Sequence, residues 1–419
     1  MYTNGGIMDY KGIDYLKRKL AMKRVRVDLR YRFYDMKNLA SDFDSMPREF
    51  WHLRNVLGWC ATGVDSLADR LVFREFANDV FDLNGIFAMN NPDIMVDSAI
   101  QGALIAGCDF IYISKGDDGF PRLQVLDGSR ATGIMDPITG MLSEGYAVLE
   151  QDAHGHPIIE AYFVAGRTDY YYHNYQGDTD IRQTDMVSVE NIAEYPLLVP
   201  MVFRPDAKRP FGHSRISRAC MSITESAMRT VKRSEITSEF YSFPQKWVSG
   251  LAKDVEIDTW KASISTLLAV TKDQDGDKPQ FGQFNQQSME PHIAELRMLA
   301  SLFAGETGLT LDDLGFTTDN PSSAEAIKAT HENLRLTAKK AQRTFGSGLL
   351  NAGYLASCIR DDFPYKRSQL YLTQPKWMPV FEPDSAMLSA IGDGLLKLSQ
   401  AVPDADVASI TRDLTGFEV

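Results

Sequence analysis

The sequence predicts an α+β chain, and three changes of rhythm along it carry that reading. Residues 9–106 repeat their apolar side chains at helical spacing, and residues 108–203 repeat them at a spacing of two. From residue 212 the helical spacing returns, interrupted by a short α/β stretch and one long polar gap. A chain of 419 residues can hold two or three domains or one elongated body of several parts.

The first helix is predicted in GIDYLKRKLAMKRVRVDLRYRFYDM, where Ile13, Leu16, Leu20, Val25, Leu29 and Phe33 approximate a one-sided stripe. It also carries Lys17, Arg18, Lys19, Lys23, Arg24, Arg26, Arg30 and Arg32. Such a run is either a surface for nucleic acid or an acidic partner, or a solvated polar face, the plainer reading. PREFWHLRNVLGWCATGVDSLADRLV and NPDIMVDSAIQGALIAG are read as further helices, with Pro47 and Pro92 suited to first turns.

CDFIYIS, PRLQVLDG, GYAVLEQD, HPIIEAYFVAG, TDYYYHNYQ and DMVSVENI then read as strands of an antiparallel meander, separated by turn clusters such as KGDDGF, DPITG and DAHGH. Next comes a long helix, HSRISRACMSITESAMRTVKRSEITSEFYSF, with Ile216, Cys220, Ile223, Ala227 and Val231 on one stripe. QKWVSG and LLAVTKD are read as strands around a short helical DTWKASIST, and GDKPQFGQF leads into a second long helix, SMEPHIAELRMLASLF. A third helix is expected over 322 to about 358, then extended chain in QLYLTQPKWMPVFEP and a final helix in SAMLSAIGDGLLKLSQAV.

Composition narrows the classes of function. Four scattered cysteines, without CxxC spacing, fit reduced buried thiols, and no apolar run reaches the length of a membrane span. The N-terminus lacks the pattern of a signal peptide, so a soluble intracellular product is expected. Net charge is −12. Proteins that grip nucleic acid usually carry a basic surplus, because displaced counterions supply the affinity. This chain is either indifferent to nucleic acid or handles it without holding on.

Catalytic motifs fail one by one. There is no GxxxxGKS/T loop, no GxGxxG after a strand and no GxSxG elbow. HENLR begins at His331 like a zinc helix but has Arg335 where the second imidazole must stand. KDQDGDK places Asp273, Asp275 and Asp277 at calcium-loop spacing, yet its glycine is misplaced and Phe284 occupies the twelfth position. Asp152, His154 and His156 fit a solvated turn better than a metal site, though a metal-dependent enzyme remains an alternative.

The polar gap is the unusual feature. Between LASLF and the third helix lie about sixteen residues rich in Gly, Thr, Asp and Asn, a length that is functional or disordered in most compact proteins. It mixes Glu306, Asp312 and Asp313 with Leu309, Leu311, Leu314 and Phe316, so it can pack through its apolar members while presenting carboxylates. Pro321 bars helix just upstream, and Ser322 with Glu325 forms a capping box that opens the third helix. That helix would carry Ile327, Leu334, Ala338, Ala341, Phe345 and Leu349 on one face, with Lys339, Lys340 and Arg343 in its later half. An ordinary surface loop is the alternative.

The order of these pieces resembles a portal protein of tailed bacteriophages, most nearly the SPP1-like group of long-tailed phages. The residues that carry the resemblance are Gly212-x-Ser214-Arg215-Ile216, the helix–insert–helix order, and a helix ending Phe303-Ala304-x-x-Thr307-Gly308-Leu309, followed by LGF and DNPSSAEAI before a charged helix. The likeness runs to about residue 385, with 212–350 most diagnostic. It implies an elongated protomer: a wing of helices and β-meander at 1–212, stem helices at 213–240 and 288–306, a small α/β clip at 241–287, a tunnel loop at 307–321, the wing's long helix and return strand at 322–383, and a short helical crown at 384–419.

It implies further a homo-oligomeric ring, usually of twelve copies, in the virion at the capsid's portal vertex, assembled in the host cytoplasm. Double-stranded DNA would pass through it, with a terminase motor, a head-tail adaptor, and major capsid and scaffolding proteins as partners. It implies no cofactor, metal, catalysis or membrane. The tunnel loop would present Glu306, Thr307, Leu309, Leu311, Asp312, Asp313, Phe316, Thr317, Thr318, Asp319 and Asn320 to the DNA. Arg229, Lys232 and Arg233 would lie along the stem channel, and Lys272, Asp273, Asp275, Asp277 and Lys278 would meet the adaptor at the clip. A head-completion or adaptor ring is the alternative within the same setting, although such proteins are generally far shorter.

Overall fold

A computed structural model describes residues 10–38, 54–176, 180–242, 246–249, 280–283, 288–316, 329–381, 385–403 and 406–415. Mixed helix and sheet is the result, as the rhythm of the sequence predicts. Helices α1 (Ile13–Tyr34), α2 (Trp59–Ala68), α3 (Leu83–Ala88) and α4 (Pro92–Ala106) precede strands β2 (Cys108–Lys115) to β9 (Leu198–Val202), and β1 (Phe73–Ala77) lies between α2 and α3. Pro92 opens α4 as expected. The helix read through residues 47–72 is shorter: α2 begins after Gly58 and ends at Ala68, while Pro47 lies outside the described residues.

The meander resolves into two sheets. Strands β4 (Ala131–Met135), β5 (Leu142–Gln151), β6 (Pro157–Val164), β7 (Arg167–Gln176) and β8 (Asp180–Glu190) pair in chain order. β3 (Pro121–Leu126) and β9 instead flank β2 in a three-stranded sheet. Pro200 hides β9 from a sequence reading, because proline cannot donate to a ladder. The residue is tolerated here on an edge strand, opposite Phe110. β2 is buried on both faces over Cys108–Ile113 and forms the floor of the main core.

Packing on that floor are α4 and the long helix α7 (Glu332–Asp361). The stripe read from the sequence is buried: Leu334, Ala338, Ala341, Phe345 and Leu349 are all at most 2% exposed. Phe345 stacks on Phe203, with ring centroids 6.3 Å apart. Ile327, Pro321 and the Ser322–Glu325 cap lie outside the described residues. The four cysteines are free and buried, as expected.

Between β9 and α7 stand α5 (Arg218–Ser242), β10 (Lys246–Ser249), β11 (Gln280–Gln283) and α6 (Glu290–Thr307). β10 pairs with β11, which the sequence reading took for a lead-in to α6, while LLAVTKD and DTWKASIST lie outside the described residues. β12 (Gln374–Trp377) returns to pair with β1, nearly 300 residues upstream, and two helices close the chain, α8 (Ser385–Ala401) and α9 (Val407–Thr415). Neither the β1–β12 pair nor the second terminal helix was legible.

The basic helix α1 departs most from expectation. A solvated polar face was the plainer reading, but several of its cations bind the sheets instead. Lys17 pairs with Glu160, and the Lys19 ammonium donates to the Gly133 carbonyl at 2.6 Å. Lys23 lies over the Phe110 ring, and Arg30 donates to the Ala106 carbonyl at 3.0 Å. Leu16 and Leu20 meanwhile bury against Tyr146, Val148, Tyr162 and Val164 of the five-stranded sheet.

Two buried carboxylates complete this joint. Glu144 accepts the backbone N–H groups of Lys11 and Gly12 at 2.8 and 2.9 Å and the Tyr162 hydroxyl at 2.8 Å. Glu160 accepts from Lys17, from the Tyr146 hydroxyl and from His173 at 2.9 Å. Burial pushes the Glu160 carboxyl upward, but these donors more than offset it and hold the group below the usual glutamate range. A depressed folded value stabilises the protein above the unfolded carboxyl value of about 4.3 and loses that contribution as pH falls through the folded value. Glu160→Gln should therefore cost about 1–3 kcal/mol near neutral pH. Urea denaturation across pH should show the gap from wild type closing below about pH 4.

Candidate channel loop and its joint

The loop begins where α6 ends, and its position is set by a corner built from Gly212 to Ile216. Gly212 has φ +70°, and a Cβ there would fall 2.1 Å from the Phe203 carbonyl oxygen, so this turn demands glycine. The Ser214 hydroxyl donates to the Ile105 carbonyl at 2.6 Å, and the Arg215 N–H donates to Leu104 at 2.8 Å. Both bonds cap the C-terminal carbonyls of α4, which a helix leaves unpaired.

Arg215 then turns inward. Its side chain is 8% exposed; Nε donates to the Gly63 carbonyl of α2 at 2.9 Å, and Nη2 donates to the carbonyl of Thr307, the last residue of α6. Burial lowers its guanidinium to about 10, still charged at neutral pH. The negative end of the α6 dipole is a favourable place for that charge. Gly63 of α2 faces Phe303 and Thr307, and Trp59 meets Phe303 with centroids 5.7 Å apart. Three elements meet on one guanidinium.

Past this joint α6 stops at Gly308, which is left-handed at φ +71° and returns its neighbour's N–H to Ala304. Leu309 is buried at 7% exposure, while Leu311, Leu314 and Phe316 pack half-buried against the main core. A short 3-10 turn spans Asp312–Leu314. The two aspartates have different environments. Asp313 Oδ2 accepts the Thr310 N–H at 2.8 Å and its hydroxyl at 2.9 Å, and lies 3.8 Å from His331 Nδ1 at the start of α7. Asp312 is exposed. Glu306, also exposed, accepts the Ser217 hydroxyl at 2.7 Å. Thr307 is buried, and Thr317, Thr318, Asp319 and Asn320 lie outside the described residues.

α5 and α6 pack against one another. Arg233 on α5 pairs with Glu295 on α6 at 3.2 Å, and the Thr237 hydroxyl meets His292 at 3.1 Å. Arg229 is half-buried and donates to Ser226, whereas Lys232 is 8% exposed. Lys272, Asp273, Asp275, Asp277 and Lys278 lie outside the described residues. The Asp152 turn is a hydrogen-bonded cap: its carboxylate accepts the N–H groups of His154 and His156 and meets the His156 ring at 3.1 Å. Among the described residues no three His, Cys, Asp or Glu side chains gather as metal ligands, and no helix is long and apolar enough to cross a membrane.

Sequence reasoning missed Arg215 as a functional position although it stands inside a quoted motif. His331 was weighed as a zinc ligand and instead faces the loop.

No protein-family model matches the chain. The portal protein of Mycobacterium phage L5 is 24% identical over 318 residues, covering 72% of this chain and 64% of that protein. The portal protein of Mycobacterium phage D29 is 24% identical over 328 residues, covering 74% and 67%. The chain thus spans about two thirds of the length of these curated relatives. Among solved structures, a chain in the virion of a native gene transfer agent particle aligns at 14% identity and TM-score 0.46, covering 86% of this chain and 89% of its own. Another, from the neck of the native particle computed with C12 symmetry, aligns at 14% identity and TM-score 0.40, covering 83% and 86%.

Replacing Arg215 by Met keeps its bulk but strands the buried Thr307 carbonyl at the end of α6, and should cost about 1–3 kcal/mol in denaturant unfolding. Arg215→Lys should recover part of that loss, since one ammonium cannot fork to both carbonyls. Amide exchange at residues 308–316 should accelerate in both variants. Unchanged exchange in Arg215→Met would show that the corner does not hold the loop. The resemblance to phage portal proteins, first read from the helix–insert–helix order, is met in sequence relatives that bear that name.

Proposed function

We propose that the chain is the protomer of a portal ring of twelve copies at one vertex of a phage capsid. It would conduct double-stranded DNA during packaging and ejection and offer docking surfaces to a terminase motor and a head-tail adaptor. The similarity to two portal proteins over more than seven tenths of the chain carries this reading. The paired helices α5 and α6, leading through a tethered loop into α7, support it.

In this reading α1–α4, the two sheets and α7 form the wing, α5 and α6 the stem, and 241–287 the clip. Residues 307–321 form the tunnel loop, and α8 and α9 the crown. Closing the ring requires heterologous contacts, each copy offering one surface to its neighbour and a different one to the next.

The chain's charge suits a conduit. Duplex DNA carries one negative charge per ~1.7 Å of axis, so a basic collar would hold it while an acidic or mixed lining lets it slide. Asp312 in the described part of the loop and Glu306 in the last turn of α6 are exposed carboxylates. Asp313 is tied to Thr310 and contributes less freely.

Native mass spectrometry or negative-stain imaging of the purified chain should show closed rings. Monomers alone across salt and concentration would overturn the reading. Deleting 307–321 outright would also remove the buried Thr307 and Leu309, so a point substitution is the cleaner probe of sliding. Asp312→Lys should leave ring formation intact and slow DNA packaging or ejection by a few-fold. Unchanged DNA passage would remove Asp312 from the lining.

A further inference from the structure

Several of the described cations of this acidic chain are held by its own carboxylates. Arg74 and Lys376 share Asp413, Arg335 holds Glu332, and Arg360 holds Asp361. The cations on the outer face of α7 are not so held. Lys339, Lys340 and Arg343 are exposed there, and among the described residues none of them makes a hydrogen bond or ion pair. Glu332 lies within electrostatic reach of Lys339, but Arg335 already occupies it.

These side chains rim a groove of about 750 Å³ between α7 and β12. Arg367 completes the rim, donating to the neutral Asn351 amide oxygen at 2.7 Å and to no carboxylate among the described residues. The floor is apolar: Leu350, Pro375 and Trp377, with Leu336 at the edge. No carboxylate lines it. On the other side of α7, Lys340 and Arg343 border a second groove that contains Asp206 and Glu306, but His213 and Ser217 already engage those two carboxylates. A duplex backbone has no use for an apolar floor, and it is too broad for a groove of this size. An apolar floor with a cationic rim fits an acidic surface that also exposes aliphatic side chains.

The same chain carries such a surface at the α3–α4 corner, none of whose residues line the groove. Ile94 is 73% exposed and Met89 57% exposed. Beside them Asp69, Asp93 and Asp97 make no ion pair among the described residues. Burial, then the charges of Asp93 and Asp69, push the Asp97 carboxyl upward. Like charges left facing one another are costly unless a cation arrives from elsewhere.

We propose that the cationic groove between α7 and β12 receives the acidic α3–α4 corner of a second copy, with Ile94 and Met89 on the apolar floor and Asp93 and Asp97 against Lys340 and Arg343. Each copy then gives one surface and accepts the other, which is the head-to-tail relation a closed ring needs. The inference rests on the ring reading above.

A charge exchange tests it, read by native mass spectrometry on full-length chains, with circular dichroism confirming that each variant folds. Lys340→Glu with Arg343→Glu should lower the ring fraction about tenfold or more, and Asp93→Lys with Asp97→Lys should do the same. Combining all four substitutions in one chain should restore rings, because the pairing is re-formed with signs exchanged. Rings that survive either pair of substitutions, or a combined variant no better than its parents, overturn the inference while leaving the ring reading standing. A wild-type chain that stays monomeric overturns both. A photo-crosslinker placed at Ser347 should attach to a second copy at residues 89–97, and attachment to DNA or to a different protein would also overturn it.

Discussion

The loop is held by a buried charge that makes no ion pair among the described residues. Arg215 sits at the foot of α5 with its guanidinium in the core, donating to carbonyls of α2 and α6. An isolated buried cation is expensive unless its donors are met. Here the carbonyl dipoles at the end of α6 supply much of what a carboxylate would. The arrangement is directional where an ion pair is forgiving: a guanidinium forks in a plane, so α2 and α6 must arrive at a fixed separation for both bonds to form. Gly212, which turns the chain toward α5 where no side chain would fit, helps to satisfy that requirement.

A second charge arrangement holds α1 to the five-stranded sheet. Glu144 and Glu160 are buried on β5 and β6, and each has three donors. A half-satisfied buried carboxylate destabilises, and a fully satisfied one fixes a unique docking geometry. The acidic balance of the chain therefore conceals two populations: carboxylates consumed inside the fold, and exposed ones such as Asp312 that are available to whatever lies outside.

Local pattern revealed what local physics decides. The stripe of α7, the strands with turn chemistry between them and Pro92 at the start of α4 were all legible, because each depends on residues within a few positions. What failed depends on distant partners. The cations of α1 looked like a solvated face because Glu160 and the Gly133 carbonyl that bind two of them stand more than a hundred residues away. β1 has no meaning without β12. β9 was concealed by Pro200, whose tolerance follows from an edge position that only the sheet order reveals. In the loop, Leu309, Leu311 and Phe316 were rightly suspected of packing. Asp313, grouped with Asp312 by sequence, leaves the same 3-10 turn in another direction, toward Thr310 and His331.

α7 is thirty residues long, about 45 Å of helix. One end meets the loop, where His331 faces Asp313. At the other, Arg360 grips the Phe81 carbonyl and Asp82. Buried along most of its length, such a rod transmits a push as tilt, with little bending. A sideways load on the loop is thus delivered to the periphery near α3, and a clamp on that periphery stiffens the loop in return. α7 is a lever with its fulcrum in the core.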